Sequence, residues 1–210
     1  MRIWAISRFC LALTVTCLIA SGARADSIFT GSQAGKCCFD VNLHQVDSNN
    51  MEVTVSLTDG AQYFVSTGSG NHPGFAFNLD GNPTVSITSI STPWALSDVN
   101  LSSTGTNGPS MGTFDYFIDN PGPGASQHND GPLVFSIFSA SGIAYSDFVA
   151  NNSGYYFAAD IMDAAGNTGM SGINTPGSTP PAVPEPSSLA LLGTGILGAA
   201  GCLRRKLFNS

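Results

Sequence analysis

Two stretches separated by a short turn set the class of fold open to this chain. In residues 37–44, Cys37, Phe39, Val41 and Leu43 alternate with Cys38, Asp40, Asn42 and His44, and in residues 51–57, Met51, Val53, Val55 and Leu57 alternate with polar residues. Successive side chains of a strand point to opposite faces, so this period of two gives each stretch one apolar face that must be covered. Asp-Ser-Asn-Asn, residues 47–50, lies between them. That is turn chemistry, and the pair predicts a β-hairpin.

Runs of the same kind recur at residues 61–67, 74–79, 84–90, 112–118, 132–138 and 155–161, with Asp59-Gly60 and Asp80-Gly81 among the turns between them. β-branched and aromatic residues fill the runs and Gly, Pro, Asn and Asp fill the gaps. Eight or nine short strands follow, with residues 145–151 as the one place for a helical turn or two. Residues 26–171 suffice for one hydrophobic core. The predicted class is all-β, a single β-sandwich or jelly-roll domain.

Charge narrows the partners. Between residues 26 and 184 stand twelve Asp and Glu52 against Lys36 alone, a net charge of −12. Binding to a phosphate backbone requires several cations, so a nucleic-acid role is excluded. Calcium or another hard cation is the one cofactor class such a surface favours, set against simple solubility. No cofactor and no metal site are otherwise expected. Of five cysteines, the body keeps the adjacent pair Cys37 and Cys38. Outside the cytoplasm they oxidise, either to a strained ring between neighbours or to an intermolecular bridge.

The two ends are of another kind. Arg2 and Arg8 precede the apolar run 9–20, and Ala23-Arg24-Ala25 fits the small-x-small cleavage rule, so residues 1–25 read as a secretory signal peptide, handed to the Sec translocon, with Asp26 the first mature residue. Residues 189–203 carry no charge and are followed by Arg204, Arg205 and Lys206. At ~1.5 Å per residue the run makes roughly 25 Å of helix, just short of a hydrocarbon core of about 30 Å. The cations snorkel to make up the difference and hold that end in the cytoplasm. Within the run, Gly193, Gly195 and Gly198 imitate a dinucleotide fingerprint, but no βαβ unit surrounds them. Residues 172–186 are rich in proline and small polar residues, a semi-rigid spacer of roughly 45 Å at ~3.1 Å per residue.

Val183-Pro184-Glu185-Pro186, the apolar run and the basic cluster, in that order, resemble the PEP-CTERM sorting signal of exosortase substrates. The resemblance covers about the last 25 residues, 187–210 being the sorting segment proper. It implies that exosortase, a membrane protease-transpeptidase, cleaves near Pro-Glu-Pro. It also implies an inner-membrane-anchored precursor with its body in the periplasm, then release to the cell surface or an exopolysaccharide matrix. Residues 155–172 are similar to the end of the ectodomain in many such proteins, which implies no activity.

Catalytic candidates are sparse. His44, His72 and His128 lack a nucleophile elbow and read as surface or loop residues. Lys36 lies at a strand edge, which disfavours Schiff-base chemistry. Asp115 with Asp119, or Asp130, Asp160 and Asp163, are the carboxylates a glycosidase would pair, yet each falls near a strand boundary where Asp forms turns. Residues 78–83 and 163–169 offer calcium oxygens without EF-hand spacing. Trp94, Tyr63, Tyr155 and Tyr156 are the aromatics a carbohydrate-binding module would present. The expectation is a non-enzymatic exported protein, with a carbohydrate-binding or adhesion module and a secreted hydrolase as alternatives.

Overall fold

The structure is a computed structural model that describes residues 26–29, 33–35, 39–60, 62–67, 72–101, 106–108, 111–122 and 124–177, with backbone alone at 33–35 and 106–108. Its elements are strands and short 3-10 turns. One antiparallel sheet runs β1 (Ser27–Phe29), β3 (Phe39–Gln45), β4 (Asn50–Leu57), β12 (Leu133–Phe138), β7 (Ser86–Ile90). The other runs β2 (Gln33–Gly35), β14 (Thr168–Ile173), β13 (Phe157–Met162), β6 (Phe75–Phe77), β11 (Tyr116–Ile118), β8 (Val99–Asn100), with β5 (Tyr63–Phe64) also paired to β13. A two-stranded ribbon, β9 (Thr106–Gly108) with β10 (Gly112–Phe114), stands apart from both.

The first sheet follows the alternation in its sequence. Phe39, Val41 and Leu43 of β3 and Met51, Val53 and Val55 of β4 are fully buried, while the residues between them are partly or wholly exposed. The hairpin pairs Phe39 with Leu57 and Gln45 with Met51, and Asp47 closes its turn by accepting bonds from the Asn49 and Asn50 amides at 2.7 and 2.9 Å. Phe135 and Ile137 of β12 extend the same apolar face.

That face meets the second sheet across one core. Phe75 lies 6.4 Å from Phe39 and 6.0 Å from Phe135, ring centre to ring centre, and Phe77 lies 5.9 Å from Phe135. Burying these rings removes large apolar surfaces from water, and their edge-on, tilted and stacked contacts add about 0.5–1.5 kcal/mol per pair.

The second sheet is buried on both faces, which a period-two pattern does not anticipate. Phe157, Ala159 and Ile161 of β13 point into the main core, whereas Ala158 joins Ala76, Met111, Phe114 and Met170 in a smaller cluster on the far side. That second cluster splits a run predicted as one strand. Residues 112–118 break at Asp115, whose amide donates to Asn78 Oδ1 at 2.7 Å. Phe114 packs in the smaller cluster and Tyr116 in the main core.

Strand β14 carries Gly169, Ser171 and Gly172, a composition with little strand propensity. It forms because it pairs with β13 along all six residues and because bulk is not tolerated there: a Cβ on Gly172 would sit 2.7 Å from the Tyr155 ring and 2.9 Å from Met111 Sδ. Gly172→Val therefore lowers the thermal midpoint by several degrees, at about 1–3 kcal/mol of overpacking, in a melt followed by circular dichroism. The strand reaches Ile173, which is fully buried, so the body runs beyond residue 171 and the spacer does not begin at Gly172. Residues 145–151 hold one 3-10 turn, Tyr145–Asp147.

Candidate functional site

The residues expected to govern sorting lie outside the described residues: Val183, Pro184, Glu185 and Pro186, the cluster Arg204, Arg205 and Lys206, the predicted membrane helix in 187–210, and the signal-cleavage residues Ala23 and Ala25. So do Cys37 and Cys38. Among the described residues no helix is long and apolar enough to cross a membrane.

Beyond β14 the chain turns back onto the first strand, and Gly177 packs so closely that a Cβ there would lie 2.7 Å from the Phe29 ring and 2.9 Å from Ser27 Oγ. Ser27 and Gly177 thus lie side by side. A cavity of about 290 Å³ opens there between Phe29, Tyr145, Phe148, Tyr156, Pro176 and Gly177.

At the start of β1, Asp26 Oδ1 meets His44 Nδ1 at 2.5 Å. That hydrogen bond raises the His44 pKa, outweighing the opposing effect of burial, and the negative charges of Asp26 and Glu52 add to it to a lesser degree. The folded-state value is raised, so the bond's contribution is fully present below the ordinary histidine range and is lost as pH rises through the shifted value. His44 is half exposed, at 50%, which keeps the effect on stability small. In Asp26→Asn, the His44 ring titrates at a lower pH than in the parent, read by the pH dependence of its proton resonances.

Sequence reasoning placed Asp160 near a strand boundary and missed that it is buried within the second sheet. Asp160 lies in mid-β13, on the outer face it shares with Ala158, and is wholly inaccessible. Its Oδ2 accepts bonds from the Thr67 amide at 2.6 Å and the Thr67 hydroxyl at 2.7 Å, and His72 Nδ1 stands 3.9 Å away. Asp160 Oδ1 and His72 Nδ1 are buried without a hydrogen-bond partner. Burial pushes the Asp160 carboxyl up, outweighing the Thr67 bonds and the nearby His72, which act downward. His72 is thus largely covered, at 20% exposure, rather than a solvated loop residue. A lone acid inside the apolar run Phe157–Met162 was the signal available in the sequence.

The other candidates are dispersed. Asp115 and Asp119 flank β11 at opposite ends, roughly 13 Å of chain apart, rather than sharing one strand end. Asp119 is pushed up by burial and, to a lesser degree, by the charge of Asp98. Asp130 is exposed, and Asp163 caps the β13–β14 turn by accepting from the Ala165 and Asn167 amides at 3.0 and 2.9 Å. Residues 78–83 turn at Asp80-Gly81, and Tyr116 donates its hydroxyl proton to the Pro83 carbonyl at 2.6 Å, burial raising its pKa to about 12. His128 packs against Tyr63 at 4.4 Å between ring centres. Among the described residues no three His, Cys, Asp or Glu converge as metal ligands.

Trp94 is not a platform for a sugar. It is 3% exposed and meets Phe64 edge-on at 5.8 Å, so the carbohydrate-binding alternative loses its strongest aromatic. Tyr63, Tyr155 and Tyr156 are partly buried.

Residues 182–206 match a family model, the PEP-CTERM protein-sorting motif. The match includes Val183, Pro184, Glu185 and Pro186 together with Arg204, Arg205 and Lys206. No curated protein and no solved structure matches the chain.

Proposed function

We propose that this is an exported, non-enzymatic protein of the cell surface or exopolysaccharide matrix, delivered as an inner-membrane-anchored precursor and cleaved by exosortase near Pro184-Glu185-Pro186. The observation that carries the reading is the sorting motif at residues 182–206. Each of its parts has a physical task. The prolines keep the backbone around Glu185 out of a helix and within reach of a protease. The apolar run partitions into lipid, and Arg204, Arg205 and Lys206 stay on the cytoplasmic side.

What supports a display role over catalysis is how the carboxylates are used: Asp47 and Asp163 cap turns, Asp98 and Asp147 receive backbone amides, and Asp160 is sealed from solvent.

Mass spectrometry of the protein's termini, from cells with and without exosortase, tests this. The expected products begin at Asp26, lose residues 187–210 when exosortase is present and keep them when it is absent. Surface material that still carries 187–210 in exosortase-positive cells would overturn the proposal.

A further inference from the structure

A cavity of about 220 Å³ lies between residues 79–85, which join β6 to β7, residues 139–143 after β12, and the 3-10 turn Tyr145–Asp147. We propose that it binds one neutral sugar ring, with Asp80, Asp147 and Ser141 taking the ring's hydroxyls and Leu79, Val85 and Ile143 meeting its apolar face.

The wall is held in place by its own backbone. The Asp80 amide donates to the Asp147 carbonyl at 2.7 Å, the Ile143 amide donates to the Ser48 carbonyl at 2.9 Å, and Asp147 Oδ2 accepts from the Ala144 amide at 2.8 Å. A wall fixed in this way loses little conformational freedom when a ligand arrives. Its side chains keep unused hydrogen-bonding capacity. Among the described residues, Asp147 Oδ1 and both carboxylate oxygens of Asp80 accept no hydrogen bond from the protein. Ser139 is wholly inaccessible, and its hydroxyl lies 3.0 Å from that of Ser141, which is exposed. A sealed hydroxyl needs an acceptor, and Ser141 Oγ is the one in reach, so Ser141 keeps its own proton to give outward. Leu79, Val85 and Ile143 are members of the main core that also line the cavity, which gives it an apolar side.

These groups select a class of ligand. A carboxylate only accepts, whereas a hydroxyl both donates and accepts, so two carboxylates with one free hydroxyl suit a neutral ligand rich in hydroxyls. A sugar ring supplies those hydroxyls and an apolar C–H face for the opposite wall. No Lys or Arg lines the cavity and the body carries a net charge of −12, so uronate, phosphate and sulfate are repelled. Two carboxylates and a hydroxyl fall well short of the roughly six to eight oxygens around calcium. The volume is below the roughly 300–1,000 Å³ of pockets for drug-sized molecules, which limits the occupant to one ring of a glycan and its Kd to the order of 1 mM. That the ring belongs to the exopolysaccharide rests on the proposed delivery to that matrix; the fit to a neutral ring stands on the cavity alone.

Amide resonances of the processed protein, or of the full chain in detergent micelles, titrated separately with methyl glucoside, methyl mannoside, glucosamine, glucuronate and calcium, test this. Expected is a saturable shift of the Asp80, Ser141 and Gly142 amides with a neutral glycoside and none with glucuronate. Asp80→Ala with Ser141→Ala removes two exposed side chains, leaves the remaining resonances in place and weakens the glycoside by about tenfold or more. Four results overturn the proposal: no saturable shift with either glycoside, a response to glucosamine or calcium alone, an equal response to glucuronate, or glycoside binding that the double variant leaves unchanged. Shifts confined to Tyr145 and Tyr156 also overturn it, since they place the sugar in the other cavity. Glycoside binding by a protein that keeps residues 187–210 in exosortase-positive cells would sink the sorting proposal and leave the sugar site standing.

Discussion

Phe77→Ala lowers the stability of the body by about 3–5 kcal/mol, the range for truncating a wholly buried aromatic. Phe77 is fully inaccessible and sits where four elements meet: Phe75 of its own strand at 6.1 Å, Tyr116 of β11 stacked at 5.3 Å, Phe135 of the opposite sheet at 5.9 Å and Phe148 at 5.8 Å between ring centres. Removing its ring leaves a cavity walled by rings from both sheets, which cannot collapse without moving strands that are paired on both sides. For a domain of this size the melting temperature falls by roughly 6–20 °C. Urea unfolding should show the midpoint moving with little change in slope. A loss below 1 kcal/mol would mean that the two sheets do not share this core.

Asp160→Ala has the second-largest expected effect, a loss of about 2–3 kcal/mol. It strands the Thr67 amide and hydroxyl, which have been giving their protons to Oδ2, and an unpaired buried donor costs about 1–3 kcal/mol. Asp160→Asn keeps an oxygen to accept from Thr67 and carries no charge to desolvate, so it should fall within about 1 kcal/mol of the parent. The contrast has a pH signature. Burial raises the carboxyl above the ordinary aspartate value of 3.8. A raised folded-state pKa means that the folded protein holds this proton more tightly than the unfolded chain does. Its stabilising contribution is therefore complete below about 3.8 and is lost as pH rises through the shifted value, the reverse of an ordinary ion-paired aspartate. Urea midpoints of parent and Asp160→Asn, compared from acid to neutral pH, should show the parent gaining on the variant as pH falls. Parallel curves would mean that burial does not govern this carboxyl.

How legible each part was depended on how local its cause is. The β3–β4 hairpin and the inner face of its sheet follow from residues within one strand's length, because one face is dry and the other wet. Asp47 announced its turn for the same reason. Residues 112–118 did not announce their break, since Phe114 and Tyr116 look alike in sequence and differ only in which apolar cluster receives them. Strand β14 was hidden by its glycines, of which Gly172 is required by Tyr155 and Met111, residues distant in sequence. His72 and Asp160 stand 88 positions apart, so neither could signal the other.

The sorting motif was readable from the sequence because it is defined by the order of residues within one contiguous stretch, 182–206. The sandwich class was readable because alternation is a property of one strand. Only the packing of two sheets and a ribbon decided that Trp94 is buried, that Asp160 shares a site with Thr67 and His72, and that Gly177 packs beside Phe29. Each of those depends on surfaces that come into existence when distant segments close on one another and exclude water.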